Sequence, residues 1–168
     1  ATLDMILSAD RPAIFIGHGV TLSEASQELT AFVHKLGIPV ISSPNGMGCL
    51  DMRDELSLGF IGRNGAYPAN QAGRHADVVL TIGTRFDDRS SSSWHPGYSW
   101  NFPKSQLLHV DIDPQELGRN YPPTLGLIAD VTGRLYDLGI NLGDTTFAVL
   151  GSGAKLTLVA KLPSDITI

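Results

Sequence analysis

The residues best suited to chemistry in this sequence are small or charged, and they follow short apolar runs. Gly17-His18-Gly19 comes straight after Ala13-Ile14-Phe15-Ile16 and leads into a helical pattern. Backbone amides at a helix start attract phosphate, and glycine lets a ligand come close to the main chain. The same two glycines equally suit a tight strand-to-helix turn. Ser42-Ser43-Pro44-Asn45-Gly46 ends a second run, and the glycine-rich stretch Leu58-Gly59-Phe60-Ile61-Gly62-Arg63-Asn64-Gly65 precedes a short helix. A third run leads into Gly83-Thr84-Arg85-Phe86-Asp87-Asp88-Arg89. Arg85 can fork onto a phosphate there, while Asp87, Asp88 and Arg89 also read as a solvated ion-pair cluster. His109-Val110-Asp111-Ile112-Asp113-Pro114 places a carboxylate just past a strand, where ribose or adenine donors can be recognised. Asp113 reads as a helix N-cap with Pro114 at the first helical position, which leaves Asp111 for recognition. Asp130, after the last strand, is a similar case.

The elements that must hold these residues alternate. Leu3, Ile6 and Leu7 have helical spacing ahead of Arg11-Pro12. Leu22, Ala25, Leu29, Phe32, Val33 and Leu36 mark one face of a single helix, with Thr21 and Glu24 spaced as a capping box and Gly37 as its stop. Pro39–Ser42, Val78–Ile82, Leu107–Ile112 and Leu125–Ala129 read as strands, with a short helix around Val131–Leu138. Strand, glycine turn, helix, strand is a parallel βαβ unit, and strands without strict alternation are buried on both faces. The expected fold is a doubly wound α/β domain over residues 1–138. Ser90–Gly97 reads as a surface loop. Residues 139–168 read as extra strands around Gly151-Ser152-Gly153, a linker or a tail.

Composition narrows the function classes. The chain has 168 residues, 42% hydrophobic and 17% charged, with a net charge of -5. An acidic balance argues against nucleic acid as a partner, because backbone binding needs positive surface. No run approaches a membrane span and no signal pattern opens the chain, so the expectation is a soluble cytoplasmic protein. Cys49 stands alone and excludes an intrachain disulfide. The five histidines never pair at metal-ligand spacing, and Cys49 has no evident base beside it. Neither a phosphate loop ending in Gly-Lys-Ser or Gly-Lys-Thr nor the full three-glycine dinucleotide fingerprint is present. A nucleotide cradle without a catalytic group is the reading these residues support.

Taken in order, the motifs resemble the central domain of thiamine-diphosphate-dependent enzymes of the acetohydroxyacid synthase type, a group that includes pyruvate oxidase and cyclohexane-1,2-dione hydrolase. The resemblance rests on Arg11-Pro12, Gly17-His18-Gly19, Leu36–Val40, Leu56-Ser57-Leu58-Gly59, Gly83–Arg89, His109–Pro114 and Ala129-Asp130. It implies a six-stranded Rossmann-like sheet and FAD as the ligand. The implied contact positions are Gly17, His18, Gly19, Ser43, Leu58, Gly59, Phe60, Asn64, Gly83, Arg85, Arg89, Asp111, Ile112 and Asp130. His18 stands where a third glycine is usual, and Arg63-Asn64 where methionine-histidine is common, which adds positive charge near a flavin. Thiamine diphosphate and magnesium are implied only through other domains of a larger, oligomeric parent enzyme acting on 2-oxo acids or 1,2-diones. Gly143-Asp144-Thr145 is the nearest approach to the family's Gly-Asp-Gly motif, so this chain alone is not expected to catalyse the reaction. The competing readings are a flavin-free spacer domain and a free-standing module for NAD or ADP.

Overall fold

The computed structural model describes residues 2–131 and Leu135. Most of the expected helix around Val131–Leu138, and everything expected of residues 139–168, lies outside the described residues. Six strands, all parallel, form one sheet: β1 (Pro12–Ile16), β2 (Val40–Ser42), β3 (Ser57–Phe60), β4 (Val78–Ile82), β5 (Gln106–Asp111) and β6 (Leu125–Ile128). Their order is β3-β2-β1-β4-β5-β6. The chain moves outward from β1 to β3, then returns to the other side of β1 as β4. The connections after β1 and β4 therefore diverge, which opens a crevice at the carboxyl edge between them.

The helices are α1 (Thr2–Leu7), α2 (His18–Leu22), α3 (Ser26–Leu36) and α4 (Tyr67–His75). α1, α2 and α3 cover one face of the sheet with an aliphatic core that includes Ile6, Val20, Leu29 and Val33 against Ile14, Ile16, Leu80, Ile82, Leu108 and Val110. The other face carries Phe15, Ile41, Val79 and Leu107, covered by Ala69 of α4 and by Phe86 and Trp100 from the chain between β4 and β5. β1 and β4 are buried through almost their full length, as strands covered on both faces must be.

Three expectations change. The single helix expected over Leu22–Leu36 is two helices, because Glu24 turns left-handed at φ +52. In one unbroken helix Val20 and Ala25 would point well apart, since five positions rotate the side chain off its face. The break sends both into the core, each with 0% exposure. No capping box forms, and the Thr21 hydroxyl instead lies 3.0 Å from the Cys49 sulfur. Gly37 does end α3, left-handed at φ +64, its N–H donating to Val33 O.

Ser90–Gly97 is not a purely surface loop. Ser90, Ser91 and Ser92 are buried, and Trp100 just beyond packs on Phe15 at 4.7 Å between ring centroids. The segment folds under its own hydrogen bonds: Trp100 Nε1 donates to Ser90 O, and the Ser92 and Ser99 hydroxyls share a 2.6 Å bond. Finally, Asp113-Pro114 starts a turn rather than a helix. Asp113 Oδ1 still accepts from Gln115 N at 2.9 Å, but Glu116 N bonds back to Asp113 O and the chain turns away.

Candidate functional site

Parallel topology carries the sequence-predicted positions to one edge of the sheet. Gly17, His18 and Gly19 leave β1, Ser43 leaves β2, Gly83 to Arg89 leave β4, Asp111 ends β5 with Ile112 just beyond it, and Asp130 follows β6. Leu58, Gly59 and Phe60 differ in being strand residues of β3, half-buried, with Asn64 exposed in the turn beyond.

At the centre of this edge the strand ends lock together chiefly through main chain. Gly17 N donates to Ile82 O and Gly19 N to Gly83 O, both at 3.0 Å. A Cβ on Gly17 would lie 2.2 Å from Gly83 O, and one on Gly19 2.7 Å from Gly83 Cα. Gly46 fits as closely, since its Cβ would meet Ile16 O at 2.6 Å. Ser43 belongs to the same lock: its N–H donates to Ile16 O and its hydroxyl accepts from Gly46 N at 3.0 Å. The glycines are thus required first by the approach of one turn to another, the plainer of the two roles the sequence allows.

Around this lock stands a rim of side chains that reach solvent. His18, Asn64, Arg85, Arg89 and Ile112 are exposed. Arg63, whose charge the sequence placed near a ligand, pairs with Asp88 across the loops after β3 and β4, which neutralises much of that charge. Asp130 Oδ2 accepts from Ser23 Oγ at 3.4 Å.

Beneath the rim lies a polar layer. His109 on β5 is 1% exposed, its Nε2 3.0 Å from Thr84 O. Burial pushes its pKa down to about 4, so the ring is neutral near pH 7, with Nε2–H donating to that carbonyl. Asp111 is buried, its Oδ1 accepting from Asp113 N at 3.0 Å and its Oδ2 4.0 Å from His109 Nε2. Burial raises the Asp111 carboxyl above the ordinary carboxylate value, against the pull of the Asp113 and Ile112 amides. The sequence reading missed two groups here, Glu116 and Asn120. It also missed Asn70 on α4, whose amide pairs with both the N–H and the carbonyl of Gly62, at 3.2 and 2.9 Å. A polar residue on the buried, small-residue face of a helix, beside Ala69 and Gly73, was the available signal.

Chemically, this edge offers guanidinium groups for phosphate, a buried carboxylate with acceptor capacity for hydroxyl or amine donors, and an apolar contact at Ile112. Among the described residues, no group of three or more histidine, cysteine, aspartate or glutamate side chains could hold a metal ion. No described helix is long and apolar enough to cross a membrane.

Comparison with known proteins adds a family to this geometry. A family model described as the central domain of thiamine pyrophosphate enzymes matches residues 1–138. The acetolactate synthase large subunit of Haemophilus influenzae is 34% identical over 128 residues, 76% of this chain and 22% of that protein. The probable acetolactate synthase large subunit of Methanococcus aeolicus is 38% identical over 128 residues, 76% of this chain and 21% of its own length. The probable chloroplastic acetolactate synthase 2 of Oryza sativa subsp. japonica is 39% identical over 127 residues, 76% of this chain and 18% of its own. The chain thus spans about a fifth of the length of the curated relatives it matches.

Proposed function

The chain belongs to the family of thiamine pyrophosphate enzyme central domains, and from that premise we propose that it is the FAD-binding domain of an enzyme acting on 2-oxo acids or 1,2-diones. The observation that carries the reading is that exposed Arg85 and Arg89, buried Asp111 and exposed Ile112 follow the ends of β4 and β5 at the carboxyl edge of the sheet, beside the crevice where β1 and β4 part. These residues fit an extended dinucleotide. Arg85 and Arg89 would face its diphosphate, Asp111 would accept from the adenosine half, and Ile112 with the Leu58–Asn64 stretch would supply apolar contact. A bound flavin supplies hydride or electron transfer, or a purely structural filling, according to the parent enzyme. Thiamine diphosphate and its magnesium would be held by other domains of that parent, which would assemble as a homo-oligomer.

One observation favours a second reading, a spacer that binds no flavin. The Gly17 and Gly19 amides and the Ser43 hydroxyl are already engaged inside the protein. The visible absorption spectrum of the purified chain, desalted after incubation with FAD, separates the two. A retained flavin band with one equivalent per chain supports the FAD domain. A folded chain that returns no band, both alone and within its full-length parent, establishes the spacer.

A further inference from the structure

Three consecutive residues of the turn after β4 are each gripped from the β5 side. His109 Nε2 donates to Thr84 O at 3.0 Å. Asn120 Nδ2 lies 3.0 Å from Arg85 O and 3.1 Å from Phe86 O. Phe86 is left-handed at φ +51, a conformation rare for a bulky residue and one that persists only where neighbours enforce it. Trp94 Nε1, donating to Phe86 O at 3.0 Å, completes that enforcement.

Glu116 acts on the side chain of the same turn. Its side chain is 7% exposed, yet only Oε1 has partners: Arg119 Nη1 at 2.9 Å and Arg85 Nε at 3.7 Å. Oε2 is buried and makes no hydrogen bond. An incompletely satisfied buried carboxylate is costly, and an apolar residue of similar size would fill such a place more cheaply. The two arginines it meets are mostly exposed, at 76% and 61%. Exposed arginines gain little stability from such a pair, so the arrangement is better explained by what it does to them.

We propose that Glu116 is a positioning residue: it orients the Arg85 guanidinium toward a phosphate-bearing ligand while His109 and Asn120 fix the main chain beneath. The proposal rests on the reading of this edge as a nucleotide site. Nε is the Arg85 nitrogen nearest the carboxylate, which leaves the two terminal nitrogens to form the fork that a phosphate accepts. A free arginine must be ordered on binding; one already drawn to Glu116 loses less.

The test is a double-substitution cycle on the full chain, with FAD and ADP as probes and calorimetry as readout, the melting temperature of each variant being recorded. Arg85→Ala is expected to weaken both ligands roughly tenfold, the size of one charge-assisted hydrogen bond. Glu116→Gln is expected to weaken them about fivefold in the native background and not at all in the Arg85→Ala background. Glu116→Asp keeps the charge but withdraws it from Arg85; it should show a smaller loss with the same dependence on Arg85, and it serves should the glutamine variant fail to fold. A purely structural role would lower the melting temperature and make the losses additive. Native chain that binds while Glu116 variants lose nothing, or lose equally in both backgrounds, overturns the positioning role and leaves the nucleotide reading standing. Native chain that binds neither FAD nor ADP, both alone and within its full-length parent, overturns both.

Discussion

On one face of the sheet, three helices lay aliphatic side chains over Ile14, Ile16, Leu80 and Ile82; on the other, irregular chain and one helix lay rings and small polar groups over Phe15 and Val79. Phe86 alone touches Phe15, Trp100, Phe102, His109 and Tyr121, with ring centroids 5.2 to 5.8 Å apart. The aliphatic face is shaped by burial, which is roughly proportional to area and indifferent to direction. The aromatic face is directional: edge-on rings, indole N–H groups on named carbonyls, and serines paired beneath them. Arg85 and Arg89, exposed cations at the sheet edge, issue from the directional side. A coordinate fixed by hydrogen bonds is more closely defined than one fixed by oil-like contact, so the division suits a site.

Two glycines give the sharpest contrast. A Cβ on Gly62, which is left-handed at φ +117, would lie 1.8 Å from Arg89 O. Gly37 at φ +64 has open space around it. Gly62→Ala should cost more than about 3 kcal/mol or prevent folding, because main chain must move. Gly37→Ala should cost about 1–2 kcal/mol, the conformational penalty alone. Urea unfolding of the two variants measures both; equal losses would mean that the two faces are equally forgiving.

The faces should also differ in acid. His109, on the aromatic side, has its pKa pushed from 6.5 down to about 4 by burial. Above pH 6.5 the ring is neutral whether folded or not, and its contribution is complete. As pH falls from 6.5 toward 4 the unfolded chain takes up a proton that the folded chain refuses, so stability falls by about 1.4 kcal/mol per unit. Unfolding free energies across that range should show this slope in the native chain and lose it in His109→Gln. A slope unchanged by the substitution would assign the acid sensitivity elsewhere.

The smallest effect expected is at the rim. Arg63 and Asp88 pair with side chains about half exposed, at 50% and 47%. Arg63→Met should change stability by less than about 1 kcal/mol. A larger loss would show that the pair joins the two loops as firmly as the buried contacts below.

The same division explains what the sequence disclosed. Strand β4 was legible because Val78–Ile82 is an uninterrupted β-favouring run, and the end of α3 because only glycine suits its left-handed stop. The parallel, doubly wound arrangement followed from the alternation of these runs with helical segments. Strand β3 was not legible as one, since Ser57 and Gly59 leave it without a buried pattern. The burial of Ser90, Ser91 and Ser92 was invisible because serines in a row have the composition of a loop, and only distant partners such as Trp100 reveal their place. The site was read in its outline, strand end by strand end. Asn120 escaped because hydrogen bonds to main-chain atoms many residues away leave no periodic trace, and Glu116 because the Arg85 side chain it meets is equally distant in sequence.

The glycine lock at the centre of the edge has a consequence for how such a domain can change over time. Gly17, Gly19 and Gly46 meet neighbouring main chain so closely that a side chain at any of them displaces the frame. Variation is thereby steered outward to His18, Asn64, Arg85, Arg89 and Ile112, whose side chains reach solvent. The frame tolerates little change while its border is free to change one residue at a time, so a ligand could be gained or lost at the border without the sheet being rebuilt.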